Sequence, residues 1–301
     1  MCTLRGMRKT SVYLSDELKT ALAEAAGRSG ASEAEFIRAA IEAAVHRTRG
    51  ARPADVPVHR LKGPLLVGVG VGPGPADLLT ARARDTISQA DTVFAAAISP
   101  DASGRAEATV RAALGPLRIV RLQVDVNDSP EERARALPAL AERLVGHLDR
   151  GEVVAFLTIG DPSMFSVFPS LVAAVRGLRP QMPTASVPGI MAFQELAARA
   201  GTVLGGDLQS VRIVAVGRDL ENSNARIADT LARADETLVL YRGGRSVPSI
   251  ARQLLSAGRA KNAVVGELLG LPGERCAPAA EYVDQPASYL ASLIAPAPGV
   301  A

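Results

Sequence analysis

Three short segments carry the residues whose types and spacing could do chemistry, and each follows a predicted strand. The glycine loop (residues 68–74) has glycine at every second position, with Pro73 inside the last pair. The Asp161 loop (residues 160–163) begins Gly160-Asp161-Pro162, and the Pro188 loop (residues 188–190) reads Pro188-Gly189-Ile190. Glycine after a buried strand lets the backbone approach a ligand closely. Each loop is a candidate wall of a binding site, although each could also be an ordinary strand-to-helix turn.

The glycine loop lacks the spacing of a dinucleotide-binding site. Such a site has the pattern Gly-x-Gly-x-x-Gly and an acidic residue that ends the next strand. Here Pro73 stands at the third glycine position, and Asp91 begins the next strand instead of ending it. The sequence therefore disfavours a nicotinamide-dependent enzyme.

The sequence suggests no other catalytic cluster. The histidines, His46, His59 and His147, lie outside all three loops. The two cysteines, Cys2 and Cys276, are too few for a disulfide framework and wrongly spaced for a metal site. We therefore predict no metal site and identify no general base.

Taken in order, the three loops resemble those of the tetrapyrrole methylase family, and the resemblance covers about residues 64–296. The motifs that carry it are Gly72-Pro73-Gly74 with Leu79-Thr80, Gly160-Asp161-Pro162, and Pro188-Gly189-Ile190. The resemblance implies a fold of two α/β domains with S-adenosylmethionine in the cleft between them, released after the reaction as S-adenosylhomocysteine.

The end of the chain is most similar to the precorrin-2 C20-methyltransferase branch of cobalamin synthesis. The similar residues are the run 267–275, Tyr282 and the segment 286–291. Methylation at C11, at C17 or at the earlier uroporphyrinogen step is the competing interpretation.

The resemblance also implies which residues line the cofactor. These are Pro73, Gly160, Asp161, Met164, Met191, Ala192, Arg242 and Leu268, with Leu269 as an alternative to Leu268. Methyl transfer from a sulfonium requires alignment and exclusion of water, because the methyl group is already activated. A precorrin is a polycarboxylate, so arginines should hold it at the mouth of the cleft. The candidates are Arg82, Arg84, Arg105 and Arg242, of which the first three could instead lie on solvated helix faces.

Three positions depart from the family pattern. Pro75-Ala76 replaces the usual Asp-Pro, Met191 replaces a Thr or Ser whose hydroxyl would contact the cofactor, and Arg242 stands at an often apolar position. These departures support an alternative function, in which the methylase body of a DNA-binding regulator senses a tetrapyrrole or S-adenosylmethionine.

The elements that must position these loops alternate between strands and helices, which predicts two α/β domains, residues 63–179 and 180–301. Strands are predicted from residue 65 and at 91–97, 119–122, 153–158, 186–187, 211–216, 237–241, 263–267 and 289–294. Helices are predicted at 76–89, 130–150, 164–176, 190–200 and 246–257.

Residues 1–47 form a different module. Residues 7–15 alternate as a strand does, and Ser15 and Ser32 are helix N-caps, with Glu35 completing a capping box. This pattern resembles the ribbon-helix-helix family, whose paired strands enter the DNA major groove. By that likeness Lys9, Ser11 and Tyr13 would contact bases. The module could instead dimerise without DNA or be an inert appendage.

Charge and composition limit the remaining possibilities. Residues 1–62 hold 11 of the 34 basic and 7 of the 31 acidic residues, so the basic excess lies in the module and in the proline-containing linker, residues 48–62. No apolar run has the roughly 18 residues of a membrane span, and residues 1–9 lack the apolar core of a signal peptide. We expect a cytoplasmic homodimer with no membrane partner.

Overall fold

The computed structural model describes residues 14–29, 32–38, 41, 61–99, 101–124, 130–216, 220–233, 235–241, 244–288 and 291–299. The chain divides into two compact units, Met1–Pro57 and Val58–Ala301. The first unit contains helix α1 (Asp16–Ser29) and helix α2, of which residues 33–38 and 41 are described. The predicted base-contacting residues, Lys9, Ser11 and Tyr13, lie outside the described residues.

Both predicted N-caps of the first unit are present. The backbone N–H of Leu18 donates to Ser15 Oγ over 3.4 Å. At α2 the backbone N–H of Glu35 donates to Ser32 Oγ over 3.3 Å, while the Glu35 carboxylate accepts from the Ser32 N–H over 3.0 Å. This reciprocal pair is the predicted capping box.

The first sheet of the second unit is entirely parallel, with strand order β3-β2-β4-β1-β5. Its strands are β1 (Leu65–Gly70), β2 (Thr92–Ala97), β3 (Ile119–Gln123), β4 (Val153–Thr158) and β5 (Thr184–Val187). Its helices are α3 (Ala81–Gln89), α4 (Arg105–Leu114), α5 (Pro130–Leu148) and α6 (Phe168–Leu178). Helices α3 and α4 pack on one face, and α5 and α6 on the other. Both faces of the central strands are therefore buried, which explains why β4 is apolar as far as its last residue, Thr158.

The second sheet is mixed, with strand order β6-β7-β10-β8-β9. Its strands are β6 (Ser210–Ala215), β7 (Glu236–Tyr241), β8 (Val264–Glu267), β9 (Arg275–Pro278) and β10 (Ser292–Ala295). Its helices are α7 (Ala192–Ala200), α8 (Leu220–Leu231) and α9 (Val247–Ser256). Helix α7 packs on one face of this sheet, and α8 and α9 pack on the other.

Several sequence-based boundaries are wrong. The helix predicted from residue 76 begins at Ala81, because Ala76–Leu78 form a short 3-10 turn and Thr80 caps the helix. The helix predicted from residue 164 begins at Phe168, so Met164 lies in a loop. Helices α4 and α8 and strand β9 were not predicted. Among the described residues, no helix is long and apolar enough to cross a membrane.

Candidate active site

The three predicted loops meet at the carboxyl edge of the parallel sheet, where β1, β4 and β5 end side by side. The Gly160 N–H donates to the Gly72 carbonyl over 2.8 Å, joining the glycine loop to the Asp161 loop. A Cβ on Gly70 would lie 2.5 Å from the Gly160 carbonyl oxygen and 2.6 Å from the Gly189 nitrogen. A Cβ on Gly189 would lie 2.0 Å from that same oxygen. The loops therefore pack backbone against backbone, which explains the glycines at these positions.

Asp161 joins two of these loops through its side chain. Its Oδ2 accepts from the Gly189 N–H over 3.1 Å, and its Oδ1 accepts from the Ser163 N–H over 2.8 Å and from Ser163 Oγ over 2.5 Å. Both carboxylate oxygens are engaged by protein donors. Asp161 therefore fixes the Pro188 loop, while its direct contact with a cofactor stays a prediction.

The second sheet contributes a fourth loop, the Leu268 loop (residues 268–271), which follows β8. A Cβ on Gly74 would lie 2.4 Å from the Leu269 carbonyl oxygen, and a Cβ on Gly270 would lie 2.4 Å from Pro75 Cγ. From the other side, Thr109 Oγ1 in α4 donates to the Gly74 carbonyl over 3.2 Å. The glycine loop is thus held between α4 and the second sheet.

Backbone conformation also marks this region. Among the residues that the structure describes, the non-glycine residues with positive φ are Phe165, at 53°, and Leu268, at 50°. Such a conformation is unfavourable for a bulky side chain and concentrates at functional sites. Both residues belong to segments that reach the site, one directly after the Asp161 loop and the other in the Leu268 loop.

Tyr241, at the end of β7, is a site residue that the sequence reasoning missed. Its hydroxyl accepts from the Phe193 N–H over 3.1 Å at the start of α7. Its ring centroid lies 5.7 Å from that of Phe165 and 6.1 Å from that of Phe193. Burial raises the pKa of Tyr241 to about 12, so the phenol is protonated at neutral pH. An aromatic residue ending a strand immediately before the predicted Arg242 was the available signal.

The predicted residues that can be placed fall into this one region. Pro73 and Met191 are buried, and a Cβ on Gly160 would lie 3.0 Å from Met191 Sδ. Met164, Ala192 and Leu268 are partly exposed beside the same loops. Arg242 lies outside the described residues, so its contact with a cofactor remains a prediction.

The comparison with family models agrees with this geometry. Residues 65–281 match the model described as Tetrapyrrole (Corrin/Porphyrin) Methylases. The chain belongs to the tetrapyrrole methylase family. Residues 8–48 match a second model, Ribbon-helix-helix protein, copG family.

Two curated relatives support the same family, and one solved structure supports the fold. The chain is 31% identical over 242 residues to a precorrin-2 C(20)-methyltransferase from Sinorhizobium sp, a match that covers 77% of this chain and 94% of the relative. It is 28% identical over 232 residues to a cobalt-precorrin-2 C(20)-methyltransferase from Salmonella typhimurium, covering 76% and 94% of the two chains. The X-ray structure of a cobalt precorrin-4 methyltransferase, a cobalamin biosynthetic enzyme, has a TM-score of 0.59 at 20% identity and covers 77% of this chain and 94% of its own. That structure supports the fold alone.

As a tetrapyrrole methylase, the chain is a methyltransferase, and its family implies S-adenosylmethionine as the methyl donor. The four loops offer such a reaction a fixed backbone frame with apolar side chains around it. Within the described part of the chain, no group of three or more His, Cys, Asp and Glu residues could hold a metal ion.

The predicted arginines differ in their surroundings. Arg82 and Arg84 are exposed on α3, and Arg84 donates to the Ala113 carbonyl over 3.5 Å. Both arginines therefore agree with the interpretation that they lie on a solvated helix face. Arg105, the first residue of α4, is only partly exposed.

Proposed function

We propose that this chain methylates precorrin-2 at C20 in cobalamin synthesis, with S-adenosylmethionine as the methyl donor. The observation that carries the proposal is the interlocked set of four loops at the sheet edge, which forms one rigid wall. The nearly full-length similarity to two C20-methyltransferases supports this ring position over C11, C17 and the uroporphyrinogen step.

The residues around the cleft have the chemical character that binding of S-adenosylmethionine requires. Phe165 is 40% exposed, and with Leu268 and Tyr241 it offers apolar surface for a purine ring. The backbone of the Asp161 and Pro188 loops offers polar groups for the amino acid end. When bound, the cofactor supplies a methyl group that is already activated. We assign it to Pro73, Gly160, Asp161, Met164, Met191, Ala192, Arg242 and Leu268.

The task of the protein is then to align this methyl group with the ring carbon and to exclude water. Interlocked backbone suits alignment, because its atoms cannot move independently. The protonated Tyr241 phenol is engaged with the Phe193 N–H, so it acts in positioning the start of α7. We assign no general base.

The direct test incubates the purified full-length protein with S-adenosylmethionine and precorrin-2 under anaerobic conditions. We expect one methyl group to be added, and magnetic resonance of the product to place it at C20. A methyl group at C11 or C17 would replace the proposed ring position while keeping the reaction class. Ligand binding without any methylated product would overturn the enzyme assignment.

A second function has its own observation, the match of residues 8–48 to ribbon-helix-helix proteins. We propose that this module forms a homodimer that binds DNA, which would make the chain either an enzyme that also binds its operator or a ligand-sensing regulator. The double variant Lys9→Ala, Tyr13→Ala should weaken binding to the protein's own promoter DNA in a gel-shift assay. If the unaltered protein ignores that DNA, the DNA-binding proposal fails, and sedimentation then tests dimerisation alone.

A further inference from the structure

We propose that Arg105 binds a side-chain carboxylate of the tetrapyrrole substrate at the rim of the cleft. The inference rests on the proposed function for its substrate class, and it names the residue that would recognise that class. Three observations carry it: the position of Arg105, its lack of a partner, and the occupation of the nearest acid by other arginines.

The position of Arg105 follows from how α4 begins. A Cβ on Gly104, the N-cap of α4, would lie 2.3 Å from the Ala96 carbonyl oxygen near the end of β2. Helix α4 therefore starts against the carboxyl end of β2, which neighbours β4 and hence the Asp161 loop. Thr109, one helical turn further on the same side of α4, holds the Gly74 carbonyl. Arg105 thus lies on the side of α4 that faces the site.

Arg105 is partly buried but makes no hydrogen bond or ion pair with the described residues. Burial lowers the pKa of Arg105, and it also lowers the pKa of Arg259. The Arg259 guanidinium donates to four backbone carbonyls, those of Thr230, Glu236, Ala295 and Pro296. Arg105 has no such compensation, and a partly desolvated cation is stabilised by an anion.

The nearest carboxylate along the helix is already neutralised. Glu107 is fully buried and accepts from Arg111 Nε over 2.9 Å and from Arg121 Nε over 2.7 Å. A second Arg121 nitrogen binds it over 2.9 Å. Glu107 is thus satisfied without Arg105, which leaves the Arg105 guanidinium available for a bidentate pair with an external carboxylate.

A carboxylate could come from the substrate or from the amino acid end of the cofactor. The substrate is the better match, because β2 is not among the strands whose loops interlock. In the sheet, β4 lies between β2 and β1, and α4 reaches the glycine loop through Thr109. Arg105 therefore lies at the edge of the interlocked loops, one helical turn from the contact between Thr109 and Gly74.

The test compares Arg105→Gln and Arg105→Lys with the matched control Arg118→Gln. Arg118 is exposed and immediately precedes β3, at the opposite edge of the sheet.

Steady-state kinetics with precorrin-2 give KM and kcat, and calorimetry gives the affinity for S-adenosylhomocysteine. We expect Arg105→Gln to raise KM by about tenfold or more, since a charge-assisted hydrogen bond is lost. The value of kcat and the affinity for S-adenosylhomocysteine should change by less than about twofold, which also shows that the variant folds. Arg105→Lys should have an intermediate KM.

A binding experiment separates this inference from the proposed reaction. Fluorescence titration measures the binding of two porphyrins, uroporphyrin with eight carboxylates and coproporphyrin with four. Arg105→Gln should weaken uroporphyrin binding whether or not precorrin-2 is methylated, while Arg118→Gln should not. The assignment is overturned if Arg105→Gln and Arg118→Gln weaken uroporphyrin binding equally, or if Arg105→Gln leaves it unchanged. It is also overturned if Arg105→Gln weakens only the binding of S-adenosylhomocysteine.

Discussion

The two sheets of the methylase body contribute to the candidate active site by different means. The parallel sheet contributes backbone: the Gly160 carbonyl lies so close to Gly70 and Gly189 that side chains are excluded at these two positions. The mixed sheet contributes mainly side chains, with Tyr241 at the end of β7 and Leu268 after β8. One side of the site is therefore fixed by close backbone packing, and the other by side-chain contacts that single substitutions can remove one at a time.

This comparison predicts the largest loss from a change on the parallel side. In Gly189→Ala the new methyl group would meet the Gly160 carbonyl oxygen, and the loops would have to separate. We expect the free energy of unfolding to fall by about 3 kcal/mol, with loss of measurable S-adenosylhomocysteine binding. Urea denaturation and calorimetry measure the two effects.

The control for this variant is Gly177→Ala in the last turn of α6, where an added Cβ meets nothing within 4 Å. It should keep ligand affinity and gain up to about 1 kcal/mol, because alanine is the better helix former. If both alanine variants behave alike, the close packing at Gly189 does not control the site.

A smaller loss is expected from Asp161→Asn. The amide offers a single acceptor oxygen, so it cannot satisfy both the Gly189 N–H and the Ser163 donors. The unpaired donor should lower the free energy of unfolding by about 1–3 kcal/mol and weaken S-adenosylhomocysteine binding. Asp207→Asn, at an exposed aspartate, is the control. Ligand affinity that is unchanged in Asp161→Asn would mean that the Pro188 loop keeps its place without this carboxylate.

The smallest effect is expected on the mixed-sheet side, from Tyr241→Phe. Loss of the hydroxyl leaves the Phe193 N–H unpaired and should lower stability by about 1 kcal/mol at neutral pH. Alkaline pH gives a sharper test. Because the pKa rises from an ordinary value of 10.0 to about 12 on folding, the unfolded chain loses the Tyr241 proton first. The contribution of Tyr241 is therefore complete below pH 10 and decreases as pH rises through about 12.

Urea denaturation between pH 8 and 12 compares the two proteins. At pH 8 the wild type should have a larger free energy of unfolding than Tyr241→Phe. This difference should narrow above pH 10 and then reverse in sign. A gap that stays constant over this range would show that the phenol is not held neutral by burial.

The glycine loops could be predicted from the sequence because their signal is local: glycine beside an apolar run already indicates close backbone approach. The helix starts were harder, since the start of α3 depends on the Thr80 cap rather than on the residues from Ala76 onward. The role of Tyr241 depends on a hydrogen bond to a residue 48 positions away, which no local pattern contains. Arg105 was a candidate by residue type alone; its lack of a partner required coordinates.

The contact among Gly70, Gly160 and Gly189 also bears on how such a protein can evolve. The Gly160 carbonyl leaves no room for a methyl group on Gly70 or on Gly189, so neither of these two glycines can vary unless the Asp161 loop moves. The loops that carry these residues must then be inherited as a unit. Divergence is left to the side chains around them, such as Arg105 and Leu268, where a substitution leaves the backbone frame in place.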